Sequence, residues 1–86
     1  MKVHYQPEYR TLLIIINPDK QGWYHETYEG LKSCDTLTIS RAKDDSIVYI
    51  GLDAIADEII LSEIPNCVRD IVRQVFDEKR WRYRAW

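Results

Sequence analysis

Two hydropathy periods divide this chain. Over the first two-thirds, apolar residues recur at every second position or in short runs. Val3 and Tyr5 alternate with Lys2 and His4, which predicts a short strand. Gln6, Pro7, Glu8 and Tyr9 then make a turn, because Pro7 has a fixed φ and no N–H to give a ladder. Residues 12–16, "LLIII", are β-branched or aliphatic without alternation, which predicts a central strand covered on two sides. The run stops at "NPDKQG", residues 17–22, and the two strands are expected to pair as a hairpin.

Residues 23–35, "WYHETYEGLKSCD", place Trp23, Tyr24, Tyr28 and Leu31 near helical spacing, with Gly30 interrupting. A short helical turn or a structured loop is expected there. Alternation returns in "TLTISR", residues 36–41, and in "IVYIG", residues 47–51; the Asp-rich "AKDDS" between them predicts a second hairpin. "DEIIL", residues 57–61, offers one more strand.

The period then changes to 3.6. Pro65 suits a first helical position, and Val68, Ile71, Val72, Val75 and Phe76 form one apolar stripe with polar residues between them. Tyr83 lies seven residues after Phe76 and extends the stripe, so the helix is expected to run over residues 64–84. The predicted fold is α+β: a four- to five-stranded antiparallel sheet in residues 1–61, with one long C-terminal helix packed on one face, all in a single domain of residues 1–86.

Composition is that of an ordinary folded domain, with 45% hydrophobic and 30% charged residues. The longest apolar run, residues 12–16, is far short of the roughly 20 needed to cross a bilayer, and nothing resembles an export signal. A cytoplasmic protein without membrane contact is expected. Cys34 and Cys67 are then two reduced structural thiols, with Cys67 half-buried at the start of the helix. Charge is uneven: residues 1–78 hold eight Lys/Arg against fourteen Asp/Glu, whereas residues 79–86 hold four cations and no acid.

The first half has a likeness. Tyr5-Gln6-Pro7-Glu8, the run of residues 12–16, and the segment from Asp44 to Asp53 resemble the opening, the second strand and the later hairpin of a widespread family of short bacterial domains of uncharacterised function. The likeness covers residues 1–55; Gln6 stands where the family has an acid, residues 18–35 are longer, and the C-terminal helix has no counterpart. The resemblance implies a small antiparallel-sheet domain of the kind encoded beside toxins, hence an antitoxin-like role, and it carries over no catalytic residue.

No constellation in the chain announces a reaction. His4, His25, Cys34 and Cys67 lack the close ligand pairs that pre-organise half a zinc tetrahedron. Asp44 and Asp45 read as turn chemistry. Asp77 and Glu78 oppose the helix dipole and call for a compensating cation such as Arg80 or Arg82. The serines have no elbow motif and the three glycines are isolated. A non-enzymatic role without metal or cofactor is expected.

The end of the chain, "EKRWRYRAW", is the most distinctive stretch. Arg80, Trp81, Arg82, Tyr83, Arg84 and Trp86 are the residue types that dominate protein-binding hot spots, and they are the expected partner-binding set. Aromatics there are expected to divide between packing, including cover for a sheet edge, and recognition; the cations are expected to meet carboxylates of the body or of a partner. A protein partner, such as a toxin or host factor, ranks first. Nucleic acid, with arginines on phosphates and rings on bases, ranks second because the acidic body repels a polyanion. A homodimer would cover the sheet's edges.

Overall fold

The computed structural model describes residues 1–86. Strands β1 (Lys2–Gln6) and β2 (Thr11–Ile15) form the first hairpin around Pro7. Strands β3 (Tyr24–Glu29), β4 (Thr36–Arg41) and β5 (Ile47–Asp53) complete an antiparallel sheet in the order β1-β2-β5-β4-β3. Its register puts Leu12, Leu52 and Leu37 in one row and Ile14, Ile50 and Ile39 in the next. All six are fully buried. Helix α1 (Asn66–Lys79) lays Val68, Val72, Val75 and Phe76 into the same cluster. The predicted α+β architecture, a sheet with one helix on a face, is the one observed.

Residues 23–35 depart from expectation. Instead of a helical turn, residues 24–29 form edge strand β3, paired with β4 from Tyr24↔Arg41 to Glu29↔Thr36. Its aromatic spacing reflects alternation: Tyr24, Glu26 and Tyr28 share one face, on which Glu26 and Tyr28 are partly buried, while His25, Thr27 and Glu29 on the other face are exposed. Arg41, at a bulge in β4, explains the acid at Glu26, to which it is ion-paired. This pairing holds the Glu26 carboxyl below its ordinary range.

Cover on two sides of β2 is also corrected. Leu12 and Ile14 are sealed by α1, but Leu13 and Ile15 face the opposite side, are only half-buried and stand outside the core. Cys34 is buried, and burial pushes its thiol up to about 11. Cys67, expected half-buried, is exposed, because the apolar stripe of α1 begins one residue later at Val68.

The largest correction concerns the chain's end. Helix α1 covers 66–79, not 64–84, with Pro65 just before it. Strand β6 (Glu58–Ile60) leads through one 3-10 turn (Leu61–Glu63) into α1, and the segment after the helix returns as β7 (Arg82–Arg84), parallel to β6. Residues 58–60 therefore leave the main sheet and make a separate β-α-β unit, the connection that parallel strands require. Glu63 ties this unit to the body: its carboxylate accepts from the Lys32 N–H at 3.0 Å, the Ser33 N–H at 2.9 Å and Ser33 Oγ at 2.5 Å. Burial opposes that charge, but the three hydrogen bonds outweigh it and leave the carboxyl below its ordinary value. No helix is long and apolar enough to cross a membrane.

Candidate functional site

The site begins where α1 stops. The Arg80 N–H donates to the Asp77 carbonyl at 3.2 Å and the Trp81 N–H reaches back to the Phe76 carbonyl at 2.9 Å. These are the two bonds of a Schellman turn, with Arg80 in the left-handed conformation at φ 59°. Glycine is the usual occupant, since a Cβ is strained there. The apolar contact that accompanies such turns is also present: Trp81 packs edge-on against Phe76 with ring centroids 5.3 Å apart. Nothing in the spacing of Phe76 and Tyr83 could reveal this stop, because an arginine signals continuation.

The turn distributes the six predicted contact residues. Trp81 is half-buried between Phe76 and Tyr5 of the edge strand β1, the latter ring 4.6 Å away, so it covers a sheet edge as expected. Tyr83 faces inward from β7, and its hydroxyl donates to Asp77, which raises the phenol's pKa. Asp77 is thus compensated by Tyr83 and by Arg73 at 3.1 Å rather than by Arg80 or Arg82. Arg82 and Arg84 flank Glu58 at 3.6 and 3.5 Å, so part of the basic charge meets a carboxylate of the body. These are exposed pairs, worth at most about 1 kcal/mol each. Arg80 has no ion pair or hydrogen-bonded side-chain partner, and Trp86 is 84% exposed.

Trp81 forms one wall of a hollow of about 260 Å³. Tyr5, Phe76 and Ile55 supply further apolar lining; Arg10, Arg80 and Arg82 bring three guanidiniums, and Asp57 one carboxylate. Arg10 Nη2 donates to Asp57 Oδ1 at 2.6 Å. Sequence reasoning missed Tyr5, Arg10, Ile55 and Asp57, which lie between 23 and 75 residues before Arg80 and share no periodic signal with the tail.

Elsewhere the side chains offer less. His25 Nε2 lies 3.2 Å from the Tyr49 hydroxyl across the exposed sheet face, above the buried and unpartnered Ser40 hydroxyl. No carboxylate bonds this histidine. His4 is on the far strand of the same sheet, and no three His, Cys, Asp or Glu side chains gather at metal-binding spacing. Asp44 does the turn work its position predicts. Its carboxylate accepts from Lys20 Nζ at 2.7 Å and from the Ser46 N–H at 3.1 Å, and these bonds hold it far below the ordinary carboxylate range.

Comparison with family models, with curated proteins and with solved structures finds no match to this chain.

Proposed function

We propose that this chain is a non-enzymatic binding module that docks a protein partner through its C-terminal face. One observation carries the reading: an unpaired arginine, Arg80, and the half-buried Trp81 line a concave, aromatic-walled hollow, and the same C-terminal segment ends in an exposed tryptophan, Trp86. Trp and Arg in a pocketed setting are what a small module needs to gather binding energy at few residues. The antitoxin- or inhibitor-like form of this role rests on the resemblance of residues 1–55 to the short bacterial domains.

Arg82 and Arg84 already share Glu58, which leaves few cations for a phosphate backbone and keeps nucleic acid second. The full chain, immobilised and exposed to a native bacterial extract, is expected to retain one identifiable protein that rebinds after purification. The double substitution Arg80→Glu and Trp86→Ala should weaken that rebinding more than tenfold without changing the circular dichroism spectrum. Undiminished rebinding by the variant would sink the proposal. So would tight binding of a single-stranded oligonucleotide that falls steeply with added salt.

A further inference from the structure

We infer that the hollow beneath Trp81 is a receptor for a single carboxylate side chain, presented by the partner protein next to an aromatic or aliphatic residue. This rests on the partner-docking reading and names what the partner must offer. Size is the first argument. At about 260 Å³ the hollow lies just under the roughly 300–1,000 Å³ of pockets that hold drug-sized ligands and cofactors. A space of this kind suits one or two side chains of a larger partner.

Charge is the second. Three guanidiniums, Arg10, Arg80 and Arg82, line the hollow. Asp57 satisfies Arg10 at 2.6 Å, while Glu58 is shared between Arg82 at 3.6 Å and Arg84 at 3.5 Å, which leaves the charge of Arg80 uncompensated. The surplus is positive, with Arg80 unpaired and Arg82 holding only a share of Glu58, and it calls for an anionic group. A phosphate carries nearly two negative charges and would sit against Asp57 and Glu58. The ring of Trp81, held between Tyr5 and Phe76, gives the neighbouring apolar residue a fixed surface.

The backbone supplies an independent third argument. Four non-glycine residues have positive φ: Arg10 at 54°, Asp45 at 71°, Ala54 at 54° and Arg80 at 59°. Asp45 belongs to the Asp-rich turn, where its residue type tolerates this conformation. The other three surround the hollow: Arg10 and Arg80 line it, and Ala54 precedes Ile55, whose N–H donates to the Arg10 carbonyl at 3.0 Å. Strained conformations cluster where function over-determines them. At Arg80 the chain forgoes the glycine that the turn favours and keeps an arginine in the lining of the hollow.

The test uses the ¹⁵N-labelled full chain and three probes: N-acetyl-aspartyl-phenylalaninamide, its asparaginyl analogue, and inorganic phosphate. The aspartyl dipeptide is expected to shift the Trp81 indole and the Arg10 and Arg80 amide resonances with saturation in the millimolar range, and the asparaginyl analogue to bind at least tenfold more weakly. Arg80→Gly should reduce aspartyl binding to the asparaginyl level while raising Tm by a few degrees, so lost binding cannot be lost folding. Equal binding of the two dipeptides, unchanged binding by R80G, or tighter binding of phosphate than of the aspartyl dipeptide would each overturn the inference. If the dipeptide fails while R80E/W86A still abolishes partner rebinding, the pocket assignment falls and the docking reading stands. If the dipeptide binds and no partner is found, the docking reading falls alone.

Discussion

The β4–β5 hairpin and the β6–β7 pair are both two-strand units, and they are held together by opposite means. β4 and β5 are joined by residues 42–46, whose turn is closed by the side chain of Asp44 bonding the Ser46 N–H and Lys20. Their facing residues, Leu37 with Leu52 and Ile39 with Ile50, are fully buried. β6 and β7 pair across a separation of 24 residues, Glu58 with Arg82, and only Ile59 of the three residues in β6 is fully buried. The hairpin is specified by its own sequence and stabilised by core burial. The parallel pair exists because α1 brings its ends together and Arg80 turns the chain. The less buried unit also adjoins the exposed Trp86 and the unpaired Arg80.

Opening the core that both units share has the largest expected effect. Phe76 is buried on the sheet and also receives Trp81, so Phe76→Ala should cost about 3–5 kcal/mol by urea denaturation and destabilise hairpin and annex together. Trp81→Ala is expected to separate the two. It removes the contacts to Tyr5 and Phe76, costs about 1.5–3 kcal/mol, and should raise amide exchange in residues 80–84 and 58–60 while leaving β4 and β5 protected.

Glu63→Gln acts where the β6-α1-β7 unit joins the body. A loss of about 1–2 kcal/mol is expected at pH 7, since hydrogen bonds to a charged acceptor become bonds to a neutral one. The folded carboxyl is held below its ordinary 4.5, so the unfolded chain binds more protons in that range and stability rises with pH. Glu63's contribution is therefore complete above about pH 5–6 and is lost as pH falls through the folded value. The wild-type advantage over E63Q, measured by urea titration at pH 7 and pH 3, should shrink in acid. An advantage independent of pH would show that the charge is not what anchors residues 32–33.

The smallest effect has the opposite sign. Arg80→Gly relieves about 1–2 kcal/mol of left-handed strain and gives back about 0.5–1 kcal/mol through the freer unfolded chain. A net gain of about 0.5–1 kcal/mol in urea denaturation is expected. A loss would mean that the Arg80 side chain contributes to folding rather than to recognition.

Much of the body was legible from residue patterns. The hairpin around Pro7, the alternation of residues 36–41 and 47–51, the Asp-rich turn and the stripe of Val68, Val72, Val75 and Phe76 all occupy their predicted places. Each signal is local, in that the residues that make the element also carry its period. The candidate site was legible only in part. The tail marked itself by composition, but its hollow is completed by Tyr5, Arg10, Ile55 and Asp57, which arrive from three other segments. Edge strand β3 escaped because Glu26 sits between Tyr24 and Tyr28 on its inner face, which breaks the apolar alternation, and its pairing with β4 is what defines it.

What the chain determined by itself, then, is which segments alternate, which stretch forms a helix and which face of that helix is buried. Those properties follow from side-chain periodicity and turn chemistry acting over a few residues. Long-range contacts set the end of the helix at Lys79, the return of the basic end as a strand beside Glu58, and the glycine-like conformation of Arg80. A left-handed conformation is disfavoured by the Cβ of an arginine. Arg80 is held there because the Phe76–Trp81–Tyr5 contacts and the β6–β7 pairing are formed only when the chain turns at that residue.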